Sequence, residues 1–96
     1  MITFYEYLAE LEETGAAAER DDPAGDFAID AAADSFFPRS ITADPEGFAK
    51  ALNYMYFNRR ACSDVLDAFM ECWQEYYKDV TGEDWIEPGY SGRWIK

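Results

Sequence analysis

The chain has 96 residues, with 20 acidic side chains, 8 basic ones and no histidine, for a net charge of −12. That balance argues against direct nucleic-acid binding, which needs cations to displace counterions, and against docking on an anionic membrane surface. With 49% apolar and 18% aromatic residues, the chain is expected to fold around one modest core instead of forming a disordered acidic tail.

Thr3 and Glu6 have the spacing of a capping box, and Phe4, Leu8 and Leu11 repeat at helical intervals, which predicts a first helix over about residues 3–14. Gly15 is its expected end, with the alanines at 16–18 able to carry it further. Asp22-Pro23 is a second start, a good cap followed by a residue suited to the first helical position. The second helix shows a small-residue face of Phe27, Ala28, Ala31 and Ala32. It stops before Pro38, and the Phe36-Phe37 pair reads as a core anchor.

Asp44-Pro45 repeats the start signal, and Phe48, Leu52, Met55 and Tyr56 form one face of a third helix that Asn58-Arg59-Arg60 ends. The fourth and longest helix, over about residues 61–80, carries an apolar stripe of Val65, Leu66, Phe69, Met70, Trp73, Tyr76 and Tyr77 before Gly82. In residues 83–96, Pro88, Gly89 and Gly92 exclude a long helix, while Trp85, Ile86, Tyr90, Trp94 and Ile95 are large and apolar. This tail is expected to fold back on the helical domain at 1–82; the alternative is an aromatic docking arm. The fold class is all-α, a compact bundle of four main helices with an irregular aromatic C-terminal tail.

The charge is patterned. Residues 1–34 hold ten acids and one base, Arg20, and so nine of the twelve net negative charges. The second helix places Asp22, Asp26, Asp30 and Asp34 four residues apart. The fourth does the same with Asp67, Glu71, Glu75 and Asp79, with Asp64 a turn earlier, and the first adds Glu6, Glu10 and Glu13. Steps of four rise about 6 Å and drift about 40°, so each series is a slowly winding ridge of carboxylates. Such ridges oppose a helix by about 0.2–0.5 kcal/mol per like-charged pair. One reading is a solvated coat kept acidic for solubility. The other is a partner-binding face. The second helix holds no base and the fourth only Lys78 beyond Asp64, a pattern resembling the backbone charge of a nucleic acid.

Much chemistry is discounted. Without histidine there is no Ser–His, Cys–His or His-metal arrangement. Gly89-Tyr90-Ser91-Gly92 lacks the spacing of a nucleophile elbow, and residues 21–26 lack the order of a calcium loop. No enzyme activity, cofactor or metal site is expected. Arg59-Arg60 reads as helix-terminal pairing with nearby acids, and Trp73 and Tyr76 as core. Cys62 and Cys72, on one helix, would lie about 15 Å apart, beyond disulfide reach. They read as buried thiols in a reducing compartment. No signal peptide is read at the N-terminus and no stretch of apolar residues is long enough for a span, so a cytoplasmic location is expected.

Three pieces in order carry a resemblance: Phe4-Tyr5-Glu6-Tyr7-Leu8, then Asp21-Asp22-Pro23-Ala24-Gly25-Asp26-Phe27-Ala28 running to Phe36-Phe37-Pro38, then Phe69-Met70-Glu71-Cys72-Trp73-Gln74-Glu75-Tyr76. Together they resemble the YozE family of small bacterial proteins over about residues 3–77. The resemblance implies a compact helical fold like the sterile alpha motif, with Phe4, Phe37, Pro38, Trp73 and Tyr76 as core and turn residues, and no established activity. The acidic stretch before Asp21 and the tail after Thr81 depart from the family pattern, and a specialised role would be added there.

The function expected is a non-enzymatic acidic protein-binding module, and in its sharpest form a small inhibitor that mimics nucleic-acid charge and blocks a DNA- or RNA-binding complex, of the restriction or CRISPR kind. Its partner-binding residues would be Glu6, Glu10, Glu13, Asp22, Asp26, Asp30, Asp34, Asp67, Glu71, Glu75 and Asp79, with Trp85, Tyr90 and Trp94 secondary. The partner would be a protein with a basic surface, not nucleic acid itself or a membrane. The alternative is an adaptor of the sterile-alpha-motif kind that binds a protein through apolar and aromatic surface, with the acids only solubilising.

Overall fold

Local signals place most of the helix boundaries in the computed structural model, which describes residues 2–58 and 60–86. Helix α1 (Phe4–Glu13) opens on the capping box: the backbone N–H of Glu6 donates to Thr3 Oγ1 at 3.2 Å, and that of Thr3 donates to Glu6 Oε1 at 2.7 Å. Gly15 takes the left-handed conformation (φ +83°) and ends it. A short helix not foreseen as separate, α2 (Ala16–Arg20), begins with the alanine run. Asp21, also left-handed (φ +50°), turns the chain into α3 (Pro23–Ala33). Asp22 caps α3 by accepting from the Gly25 N–H at 2.8 Å. Asp44 likewise caps α4 (Pro45–Asn53) through Gly47 at 2.6 Å.

The third predicted helix differs in its second half. Tyr54–Asn58 widens into a π turn, closed by the Ala61 N–H donating to the Met55 carbonyl at 2.9 Å, with Arg60 left-handed (φ +51°). Met55 is buried there and Phe57 exposed. Arg60 is exposed, and Arg59 lies outside the described residues. Helix α5 (Ser63–Thr81) ends at left-handed Gly82 (φ +78°). The described residues therefore form an all-α globule with four helices of seven or more residues and no strand.

The core is built around Phe4. Its ring centroid lies 5.1 Å from that of Trp73, 5.3 Å from Tyr76, 5.8 Å from Phe69 and 6.1 Å from Phe37. Truncation to alanine at such a site costs about 3–5 kcal/mol. The N–H of Phe4 donates to the Ile41 carbonyl at 2.9 Å, which pins the loop between α3 and α4 and brings fully buried Ile41 into the core. Glycine makes two close approaches possible: a Cβ on Gly25 would meet the Ala17 carbonyl oxygen at 2.3 Å, and one on Gly47 the Thr42 carbonyl oxygen at 1.9 Å.

Two expectations are corrected. Of the phenylalanine pair only Phe37 is buried; Phe36 is 84% exposed, because neighbouring side chains after the helix point apart. Cys72 is buried and donates to the Ala24 carbonyl at 3.3 Å, whereas Cys62 sits exposed at the start of α5.

Candidate functional site

Whether a carboxylate can serve a partner depends on what it already bonds. The Asp22–Asp26–Asp30–Asp34 series divides in two. Its ends are engaged: Asp22 caps α3 and pairs with Arg20 at 3.3 Å. Asp34 accepts from the Phe36 N–H at 2.9 Å and from the Tyr54 hydroxyl. Its middle is different. Asp26 and Asp30 are exposed, and their side chains make no hydrogen bond or ion pair among the described residues.

The α5 series divides similarly. Glu75 receives two bonds from the Arg20 guanidinium, at 2.7 and 2.9 Å, clasping α2 to α5. Asp79 accepts from the Tyr7 hydroxyl at 3.0 Å, tying α5 to α1. Burial and that bond raise the Tyr7 pKa far above the ordinary phenol value. Asp67 and Glu71 are exposed and, like Asp64, bond to no described group. On α1, Glu6 is held in the capping box, while Glu10 and Glu13 are exposed and unengaged among the described residues.

Packing brings two ridges to one crease. Cys72 reaches Ala24 and the Phe27 ring lies 5.9 Å from Phe69, so α3 and α5 run antiparallel. Between them lies a groove of about 240 Å³ lined by Pro23, Asp26, Phe27, Asp30, Asp64, Val65 and Ala68. A second hollow, of about 490 Å³ between α1 and the end of α5, holds Glu10 and Asp79 beside Ile2, Tyr7, Leu11, Thr14 and Val80. Among the described residues no three acids or cysteines lie close enough to hold a metal ion.

The aromatic residues behave as core. Trp73 is fully buried. Tyr76 donates to the Ile2 carbonyl at 2.8 Å, and burial pushes its pKa up to about 12. Burial likewise pushes the Cys72 thiol up to about 12. Trp85 lies 4.9 Å from Phe48, 5.0 Å from Tyr77 and 5.5 Å from Trp73, a half-buried lid on the core. Tyr90 and Trp94 lie outside the described residues. Sequence spacing did not single out Asp64 as a site residue, because its neighbours in the groove come from α3. Nor did it single out Phe57, which is 76% exposed in the π turn.

No described helix is long and apolar enough to cross a membrane. A family model described as YozE SAM-like fold matches residues 3–78. No curated protein and no solved structure matches significantly.

Proposed function

We propose that this chain, which belongs to the YozE SAM-like fold family, is a non-enzymatic module whose acidic α3–α5 face occupies the basic, nucleic-acid-binding surface of a protein partner. In its sharpest form it is an inhibitor, mimicking nucleic-acid charge to block a complex of the restriction or CRISPR kind. One observation carries the reading: Asp26, Asp30, Asp64, Asp67 and Glu71 are exposed on two packed helices and bond to no described group. The one base on those helices, Lys78, lies near the far end of α5 and pairs with Asp84 at 3.1 Å. These like charges at one-turn intervals oppose their helices, and a cationic partner relieves that opposition.

The test is capture of a partner followed by quantitative binding at two salt concentrations. A combined Asp26→Asn, Asp30→Asn, Asp67→Asn and Glu71→Gln variant is expected to bind several-fold more weakly and with a shallower salt dependence. A partner without a basic groove, or affinity indifferent to these four changes, refutes the reading. Asp22 and Asp34 stay out of the set because each holds its own helix end.

A second reading, an adaptor using apolar surface, is favoured by exposed Phe36 (84%), Phe57 (76%) and Ile86 (82%). Phe36→Ser with Phe57→Ser separates the two: loss of binding with the carboxylates intact supports the adaptor.

A further inference from the structure

The groove between α3 and α5 combines two surfaces that a plain acidic coat does not need together. Its floor is apolar, made by Phe27, Val65 and Ala68. Its rim carries Asp26 and Asp30 on one side and Asp64 on the other. None of the three carboxylates is neutralised by a described group. Arg20, beyond the Pro23 end, is already held by Glu75 and Asp22.

Size narrows the occupant. A volume of about 240 Å³ lies below the roughly 300–1,000 Å³ of small-molecule and cofactor sites, so the groove suits one long side chain. The N-termini of α3 at Pro23 and of α5 beside Asp64 each contribute about half a positive charge, against three full negative ones. An apolar floor under a carboxylate rim fits a side chain that lays a hydrocarbon stem on the protein and spreads several donors at its tip. Arginine meets both needs: its planar fork reaches several oxygens, and it is less strongly hydrated than an ammonium.

We infer that the α3–α5 groove is a receptor for a single arginine side chain of the partner, held by Asp26, Asp30 and Asp64 over the Val65–Ala68 floor. The inference rests on the acidic-face reading above and adds a fixed contact point to it. Such a residue supplies register, which diffuse charge attraction does not.

The probe is N-acetyl-arginine amide, titrated into the isotopically labelled full chain and followed by amide NMR shifts. N-acetyl-citrulline amide and N-acetyl-lysine amide serve as comparators. Expected are saturable shifts in the millimolar range confined to residues 23–30 and 64–68, with lysine several-fold weaker and citrulline inert. Asp26→Asn with Asp30→Asn weakens arginine binding about three- to tenfold. Ala68→Leu fills the floor and Val65→Trp blocks the edge, both with every charge kept; the second, at a half-buried position, serves if the first fails to fold. Either folded variant abolishes the arginine shifts while polylysine binding stays unchanged. Unsaturable shifts spread over all acidic helices, or lysine binding as tightly as arginine, overturn the groove while leaving the acidic-face reading standing. Loss of polylysine binding in the wild-type chain at low salt overturns both.

Discussion

Replacing Arg20 by alanine tests whether one long-range clasp carries measurable stability in a chain with few bases. The guanidinium holds Glu75 by two bonds of 2.7 and 2.9 Å across 55 residues of sequence, and Asp22 at 3.3 Å. Its side chain is 23% exposed, and those of Glu75 and Asp22 are 41% and 37%. A charge-assisted bond is worth about 1.5–3 kcal/mol, whereas an exposed pair is worth about 0.2–1 kcal/mol. Intermediate exposure places the whole clasp at about 1–2 kcal/mol. For a domain of this size that lowers Tm by about 4–16 °C. Thermal unfolding followed by circular dichroism reads it. Arg20→Lys keeps the charge but loses the fork, and recovers less than half of the fall. A double-mutant cycle with Glu75→Gln isolates the pair. The control is Lys50→Ala, which removes the same unit charge from an exposed pair with Glu46 at 3.5 Å and costs about 0.2–0.5 kcal/mol. If Lys50→Ala lowers Tm as far as Arg20→Ala, or if the cycle gives no coupling, the effect is net charge alone and the clasp argument is refuted.

Gly25→Ala drives a Cβ to 2.3 Å from the Ala17 carbonyl, and Gly47→Ala to 1.9 Å from that of Thr42. Each is expected to cost about 1–3 kcal/mol despite the gain in helix propensity, and denaturant midpoints check it. A thiol reagent at neutral pH is expected to label Cys62 alone in the folded chain, and Cys72 only after denaturation, because burial pushes the Cys72 thiol up to about 12. Mass mapping of the labelled site decides it. The Thr42 hydroxyl and the Gly47 N–H hold the Asp44 carboxyl below the usual carboxylate range. A depressed folded value contributes stability that is present above the unfolded pKa of about 4. That contribution fades as pH falls through the lower folded value. The stability gap between the wild type and Asp44→Asn is therefore expected to hold at pH 6 and to shrink steadily below about pH 4. A gap independent of pH would refute the assignment.

Elements whose causes are local follow from the residues alone. The Thr3–Glu6 box and the Asp22 and Asp44 caps act over three residues, so their helices begin where spacing places them. The apolar stripe of α5 marks its buried face for the same reason. The π turn after Asn53 left no such sign, because the apolar spacing of Phe48, Leu52 and Met55 is equally that of an unbroken α-helix. Phe36 and Phe37 looked equivalent as a pair, and only the packed core separates them. The carboxylate ridges were legible as spacing, but which of their members stand free was not. Asp34 meets Tyr54 from 20 residues away, Glu75 meets Arg20 from 55, and Asp79 meets Tyr7 from 72. Periodicity positions a charge on a helix face, but only the contact between helices decides whether it is already held. Tertiary packing thus turned three uniform ridges into engaged carboxylates that hold the bundle together and unengaged ones that a partner can reach.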